Sequence, residues 1–237
     1  MNKPLAFLTL SLLLGAHALA QGTFFGLKIN PGAPAKTVLV FGDSLTEITS
    51  LPKNLQDRNW VRLIESESGG ALATINESKR DRTTSALTDF EAALNKKRPA
   101  PPDLIAILLG TQDSRDPSAQ CVPRAVNNLR ALITAARKKL GPQCPILLIA
   151  PPNLRKSDLT LSLAKPAERE ACLQSMATAY ASLAGETKCA FASSYGVIPE
   201  EHFIKGGLLP DEAGHLALAK ALLPSLLRGA GFKETVK

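Results

Sequence analysis

Five short apolar runs recur along the chain, and the segments between them carry apolar residues at every third or fourth position. Each run is about as long as a β-strand and lacks the strict apolar/polar alternation of a half-exposed sheet, so the runs predict buried parallel strands. They cover residues 37–41, 71–75, 104–109, 146–150 and 189–192.

The intervening segments have the spacing of amphipathic helices. Between the third and fourth runs, one apolar face is formed by Val122, Val126, Leu129, Ile133 and Ala136. Near the C-terminus, a second is formed by Leu216, Ala219, Leu222, Leu223 and Leu226. Strand followed by helix, repeated five times, predicts an α/β fold. The length and uniform composition favour one domain of three layers, with helices on both faces of a parallel sheet.

The first 20 residues have the pattern of a signal peptide. A basic residue stands near the start, residues 5–14 form an almost unbroken apolar run, and Ala-Leu-Ala at residues 18–20 matches a cleavage site. We therefore expect cleavage before Gln21 and export to the periplasm or the extracellular space. Residues 21–36 are predicted to be a surface lead-in and residues 37–230 the folded domain. No run reaches the roughly 20 apolar residues of a membrane helix, so no membrane span is expected in the mature form.

The composition excludes several classes of protein. With 237 residues, 45% of them apolar and 21% charged, the chain is able to bury a full core, which excludes disordered, collagen-like and coiled-coil proteins. The formal net charge of +7 is scattered along the chain, and aromatic residues make up only 5%. A nucleic-acid-binding protein would show a clustered basic stripe with interleaved aromatic residues, so nucleic acid is not expected as a partner.

Four cysteines, Cys121, Cys144, Cys172 and Cys189, form an even set without a Cys-x-x-Cys pair or a histidine spacing suited to zinc. In an exported chain this favours two disulfides over a metal site, with free buried thiols as the alternative. The sequence alone leaves three pairings open. We expect neither a metal nor an organic cofactor, because the sequence shows no cluster of ligand-type residues.

Polar residues follow the first predicted strand, at the edge where an α/β sheet binds its ligands. The sequence FGDSLTE at residues 41–47 allows a sharp turn at Gly42 and presents the hydroxyl of Ser44 above the sheet. This block resembles the nucleophile block of the GDSL, or SGNH, hydrolase family. An isolated Gly-Asp-Ser turn would be typical of a helix cap, but further blocks follow the other strands.

Two more blocks are similar to those of the same family, at the ends of the second and third strands. Residues 76–84 (NESKRDRTT) resemble the segment in which a glycine precedes Arg-Thr-Thr, and residues 109–113 (LGTQD) resemble the Gly-Thr-Asn-Asp block. The resemblance continues through residues 150–152 and 211–215 and is nearest to the arylesterase-like and carbohydrate-esterase-like branch. It implies a three-layer α/β/α, flavodoxin-like sandwich whose five parallel strands have the order 2-1-3-4-5.

The resemblance implies serine-based ester hydrolysis. In such a site the serine attacks, a histidine held by an aspartate takes its proton, and N–H donors stabilise the oxyanion. Ser44 matches the nucleophile. Asp81 replaces the oxyanion glycine, which puts a carboxylate near developing negative charge, and Gln112 replaces the asparagine, which moves the amide by roughly 1.5 Å. The other polar residues expected to contact a ligand in the cleft are Asp43, Arg82 and Asp113.

The last block departs most from the family pattern, which is Asp-x-x-His before the terminal helix. The Ala-Gly-His at residues 213–215 sets the register, so that Gly206 replaces the aspartate and Leu209 replaces the histidine. A leucine cannot accept a proton. Two histidines are alternative bases: His215, in a shifted register of the motif, and His202, which would swing inward from the same loop.

Loss of the histidine costs a serine hydrolase about 10⁶ in turnover, whereas loss of one oxyanion donor costs about 10² to 10³. The sequence therefore predicts an exported homologue of the family with impaired or lost serine esterase activity and a cleft that still binds a glycan or an acyl ester. The alternative is an active carboxylester hydrolase for small acyl or acetylated-carbohydrate esters, with Ser44 as nucleophile and His215 or His202 as base. A purely structural role is a third interpretation.

The implied fold also places the cysteines. Cys144 and Cys189 would lie at the entrances of the neighbouring fourth and fifth strands, and Cys121 and Cys172 near the starts of the helices that follow strands three and four. The resemblance thus implies one disulfide between residues 144 and 189 and another between residues 121 and 172.

Overall fold

The structure, a computed structural model, describes residues 23–24, 27–28, 33–155 and 166–233. The predicted signal peptide and half of the predicted lead-in lie outside the described residues. Within the lead-in, two short strands pair antiparallel: β1 (Thr23–Phe24) and β2 (Leu27–Lys28). In the described ranges, none of the helices has the length and apolar character that crossing a membrane would require.

The centre of the fold is a five-stranded parallel sheet. Its strands are β3 (Lys36–Gly42), β4 (Leu72–Asn76), β5 (Leu104–Leu108), β6 (Ile146–Ala150) and β7 (Ala190–Ser193). The order β4-β3-β5-β6-β7 confirms the predicted strand order and the α/β class. Every residue of β5 and β6 is buried, because helices cover both faces of the sheet, and these strands therefore consist entirely of apolar residues.

Within the described residues, five α-helices cover the two faces of the sheet. They are α1 (Trp60–Glu67), α2 (Leu87–Asn95), α3 (Cys121–Leu140), α4 (Pro166–Thr187) and α5 (Glu212–Gly229). Helices α1 and α5 pack on one face, where Trp60 and Leu222 join Val38 and Leu104 of the sheet. Helices α2, α3 and α4 pack on the other. The sheet thus lies between two helical layers, and each face has its own apolar core.

The cysteines follow the implied pairing only in part. Cys121 and Cys172 form a disulfide that joins the starts of α3 and α4, with Cα atoms 6.9 Å apart. Cys144 and Cys189 are free thiols, so the predicted 144–189 disulfide is wrong in this structure. The sulfur of Cys189 lies instead 3.4 Å from the hydroxyl of Thr187. Cys144 is buried, and burial raises the pKa of its thiol.

Candidate active site

Ser44 lies at the carboxyl edge of the sheet, in a tight turn after β3. The turn requires a glycine before it, because a Cβ at Gly42 would stand 2.6 Å from the hydroxyl of Thr46. The N–H groups of Thr46 and Glu47 both donate to the carbonyl of Asp43, which closes the turn. Ser44 is 9% exposed and lines a cavity of about 340 Å³. The local geometry thus presents the serine hydroxyl to a small cleft.

Two N–H donors reach Ser44 Oγ. The backbone N–H of Asp81 donates to it at 2.9 Å, and Nε2 of Gln112 lies at 3.5 Å. Asp81 has a φ of +58°, in the left-handed region that favours glycine, as its place in the family's glycine position would require. The backbone donor is therefore kept despite the substitution, and the longer glutamine side chain still reaches the serine.

The carboxylate of Asp81 has its own partner. Its Oδ1 accepts from Nη2 of Arg115 at 3.1 Å, and both side chains are about half exposed. The guanidinium offsets part of the negative charge that the substitution places beside the serine. The electrostatic conflict expected from the sequence is reduced by this pair, because the two charges lie in contact at the cavity wall.

Asp43 lies in the serine turn and Asp113 in the loop after β5, and the two carboxyl groups are close enough to interact electrostatically. Asp43 is fully buried, and burial, with a smaller contribution from the charge of Asp113, raises the pKa of its carboxyl to about 7. Asp113 accepts hydrogen bonds from the N–H and the hydroxyl of Thr84, at 2.9 and 2.6 Å. It thereby ties the loop after β5 to the loop after β4, and burial raises its pKa. Asp43 lines the cavity, and Asp113 is not part of the cavity wall.

Arg82 holds together the backbone at the ends of β3 and β4. Its Nη1 donates to the carbonyls of Gly42 and Glu77, at 3.1 and 2.6 Å, and its guanidinium stacks 3.9 Å from the ring centre of Phe41. The side chain does not line the Ser44 cavity. The contacts place Arg82 as a support for the turn after β3, whereas the sequence had suggested a ligand contact.

Arg169 was missed by the sequence reasoning. It is 1% exposed, and it donates to the carbonyl of Thr111 and to the hydroxyl of Ser114, each at 3.2 Å, so it holds the loop that carries Gln112. Burial lowers the pKa of its guanidinium to about 10. A signal was present, since Arg169 precedes Leu173, Met176 and Tyr180 at the spacing of one apolar helix face.

The loop that carries the departures from the family motif also lines the cavity. Phe203 and Pro210 form an isolated antiparallel bridge, and the residues between them reach the cleft. Both Gly206 and Leu209 line the same cavity as Ser44. Gly206 has a φ of +103°, and Gly207, at +67°, has no room for a side chain because a Cβ would collide with the carbonyl of Arg155.

Neither of the two candidate bases, His202 and His215, lies in the wall of the Ser44 cavity. His202 Nδ1 is 3.2 Å from Oδ2 of Asp211, and that carboxylate also caps α5 by accepting from Gly214 N–H at 2.8 Å. His215 is 1% exposed, its Nδ1 accepts from the N–H of Trp60 at 3.3 Å, and burial lowers its pKa to about 4. Among the described residues, no histidine nitrogen is hydrogen-bonded to Ser44. The same residues contain no group of three or more side chains able to hold a metal ion.

Comparison with known proteins places the chain in a family. The model of the GDSL-like lipase/acylhydrolase family matches residues 40–217. A carbohydrate acetylesterase family member from Sinorhizobium meliloti superposes with a TM-score of 0.68 at 24% identity, over 83% of this chain and 99% of that chain. The native aryl esterase of M. smegmatis gives 0.67 at 23%, over 82% and 99%.

A member of the lipolytic protein G-D-S-L family from Veillonella parvula DSM 2008 gives a TM-score of 0.65 at 18% identity, over 82% of this chain and 100% of that chain. No curated protein sequence matches the chain significantly. Identities below 25% establish the fold alone, whereas the family model spans most of the chain. The chain belongs to the GDSL-like lipase/acylhydrolase family.

Proposed function

We propose that the protein is an exported member of this family in which the serine esterase reaction is impaired or lost, while the cleft around Ser44 is kept for a glycan or acyl-ester ligand. The observation that carries the proposal is the pair of residues at the family's acid and base positions. Gly206 and Leu209, which stand at the family's aspartate and histidine positions, line the Ser44 cavity, and neither has a group that accepts a proton.

A serine without a base is a weak nucleophile, because its hydroxyl keeps the high pKa of an alcohol. Removing the serine or the histidine costs about 10⁶ in turnover, and the donors and binding alone leave a residual of about 10³ to 10⁴ over water. Here the donors from Asp81 and Gln112 are in place, while neither His202 nor His215 lies in the cavity wall. This combination supports a site that binds better than it reacts.

The backbone of this loop disfavours the aspartate of the family motif, so a single substitution at Leu209 would not restore full esterase activity. The φ of +103° at Gly206 is one that side chains rarely adopt, so an aspartate there would be strained. The neighbouring glycine has no space for a Cβ beside Arg155. The loop conformation is therefore built on glycines where the family carries its acid.

Export rests on two observations. Residues 1–20 have the pattern of a signal peptide, with a cleavage site before Gln21. The Cys121–Cys172 disulfide fits an oxidising compartment such as the periplasm or the extracellular space. We assign the folded, ligand-binding domain to residues 37–230.

A second function is favoured by one specific contact, the His202–Asp211 pair. An imidazole whose Nδ1 is held by a carboxylate is the arrangement that orients a general base. An active carboxylester hydrolase would use Ser44 as nucleophile and this histidine as base, after a movement of the loop that brings His202 into the cavity. His215 is a weaker candidate, because its Nδ1 is engaged by Trp60 and its ring is buried.

Hydrolysis of p-nitrophenyl acetate tests both functions. We expect the purified protein and its Ser44→Ala variant to hydrolyse the ester at the same rate. Leu209→His restores a base without the aspartate that orients it, and since loss of that aspartate alone costs about 10⁴ of the roughly 10⁶, the Ser44-dependent gain should be about 10²-fold. Leu208→His places a histidine in the same cavity at the wrong position and is the matched control.

A Ser44-dependent rate in the unaltered protein, about 10³-fold or more above Ser44→Ala, would overturn the proposed loss of activity. His202→Gln would then identify the base, because it abolishes that rate only if the His202–Asp211 pair supplies it. An equal gain in Leu208→His and Leu209→His would contradict the assignment of Leu209 to the family's histidine position.

A further inference from the structure

The wall of the cavity beside Ser44 has more cationic than carboxyl side chains. Three cationic side chains line it, Arg80, Arg115 and Lys205, and they share the wall with the carboxyl groups of Asp43 and Asp81. A volume of about 340 Å³ is at the lower end of small-molecule sites, which suits a ligand of modest size. The charges at the wall, more than the volume, decide what such a site would select.

Two of these cations have carboxylate partners and the third does not. Arg115 contacts Asp81 at 3.1 Å, and Arg80 Nε lies 3.8 Å from Glu47, which is not part of the wall. Within the described part of the chain, no carboxylate lies within 4 Å of the Lys205 ammonium. Even with both carboxyl groups ionised, the three cations of the wall exceed its two anions by one charge, and Lys205 is the cation without a carboxylate partner.

The serine hydroxyl adds a donor that needs an acceptor. Ser44 Oγ accepts from Asp81 and Gln112, and no described residue accepts the proton of the hydroxyl itself. In a serine hydrolase the catalytic histidine accepts that proton. With Leu209 in its place, the hydroxyl is free to donate into the cavity, where an oxygen of a bound ligand would be its partner.

Part of the wall is apolar. Ile204, Leu208 and Leu209 line the cavity together with Lys205, so a ligand meets carbon as well as donors. An inorganic anion would leave the apolar part uncovered. A molecule with a short hydrocarbon or sugar skeleton and one carboxylate would cover it and place its charge between Lys205 and Ser44.

We propose that the Ser44 cavity binds a small organic carboxylate, whose oxygens accept hydrogen bonds from the Ser44 hydroxyl and from the Lys205 ammonium. The proposal rests on the loss of esterase activity argued above, because an active esterase releases its carboxylate product. Such a ligand could be a free aliphatic acid or an acidic sugar, and both present the same planar, negatively charged group to the site.

Titrations followed by the amide signal of Asp81 in ¹⁵N spectra test the inference, since that N–H lies in the cavity wall. The probes are butyrate and glucuronate, each beside its neutral amide, butyramide and glucuronamide. We expect saturable binding of at least one carboxylate, about ten-fold or more tighter than its amide, and weaker binding at high salt. The carboxylate that binds identifies the source as aliphatic or sugar-derived.

Three variants locate the charge effect. Lys205→Gln should weaken binding about three- to five-fold, the size of effect that one exposed charge exerts on another. Asp81→Asn should strengthen binding by a similar factor, because asparagine tolerates the same left-handed φ while the negative charge is lost. Lys220→Gln, an exposed lysine on α5 outside the cavity wall, is the control and should leave binding unchanged.

Equal binding of acid and amide, an unaltered affinity in Lys205→Gln, or no shift of the Asp81 signal with either acid would overturn the carboxylate assignment and leave the loss of esterase activity standing. Carboxylate binding together with Ser44-dependent hydrolysis of p-nitrophenyl acetate would instead overturn the proposed loss of activity and keep the cavity's preference for anions.

Discussion

His215 should make the protein lose stability on mild acidification, apart from any role in chemistry. The ring lies between α5 and α1, 1% exposed, and accepts a hydrogen bond from the N–H of Trp60. A protonated imidazole could not accept that bond and would be a buried cation. The charge of Asp211 favours protonation, but burial is the larger effect.

The direction and size of this change in stability follow from the pKa of His215 in the folded and in the unfolded protein. In the folded state the pKa of His215 is lowered from 6.5 to about 4, so the unfolded chain binds the proton first as the pH falls. The stabilisation is complete above pH 6.5 and is lost as the pH falls through about 4. The shift corresponds to about 3 kcal/mol in full, of which roughly 2.5 kcal/mol is lost between pH 7 and pH 4.5.

Urea unfolding at pH 7 and pH 4.5 measures this contribution as a difference between proteins. His215→Asn keeps an oxygen acceptor for Trp60 N–H and removes the titrating ring, so its stability should fall less on acidification, by roughly 2.5 kcal/mol. Any packing loss in this variant is the same at both pH values and cancels. His202→Gln is the matched control, because that ring is partly exposed and paired with Asp211.

Identical pH dependence in the unaltered protein and in His215→Asn would refute the reasoning, since it would mean that the folded state protonates this ring as easily as the unfolded chain does. A His202→Gln variant that reproduces the effect of His215→Asn would show that the titrating histidine had been misidentified.

The remaining predictions concern the buried groups around the serine. Burial raises the pKa of Asp43 to about 7, so this carboxyl stabilises the folded protein fully below about pH 3.8, and the stabilisation is lost as the pH rises through 7. The free energy of unfolding, measured with urea, should therefore fall between pH 4 and pH 8 by about 4 kcal/mol more in the unaltered protein than in Asp43→Asn. Replacing Cys121 and Cys172 by serine should lower the free energy of unfolding by about 4 kcal/mol, because the disulfide closes a loop of 51 residues; reduction should cause the same loss. Arg169→Met should speed amide exchange in the loop after β5, measured by mass spectrometry, and unchanged protection there would contradict its supporting role.

The strands and their order could be predicted because they depend on a local pattern. The five predicted runs match the observed strands to within one residue at each end. The prediction that all five are buried is wrong for β4 and β7, because these edge strands are only partly covered. The serine block could be found for a related reason, since its chemistry needs a glycine and a serine at adjacent places in one turn. The departures at Gly206 and Leu209 were also visible, because they are defined by spacing.

Tertiary structure decided which side chains meet, because those contacts join residues that are distant in the chain and depend on the direction of each side chain. Arg115 reaches Asp81 across 34 positions, and Arg169 holds the loop after β5 from a helix 55 positions away. His215, Arg82 and Cys189 carried plausible functional roles in the sequence, but packing turned them toward Trp60, the strand ends and Thr187. Residue types and their spacing thus determined the layers, the serine turn and the departures from the family motif, whereas burial and long-range contacts determined the charge and the donors of the cavity.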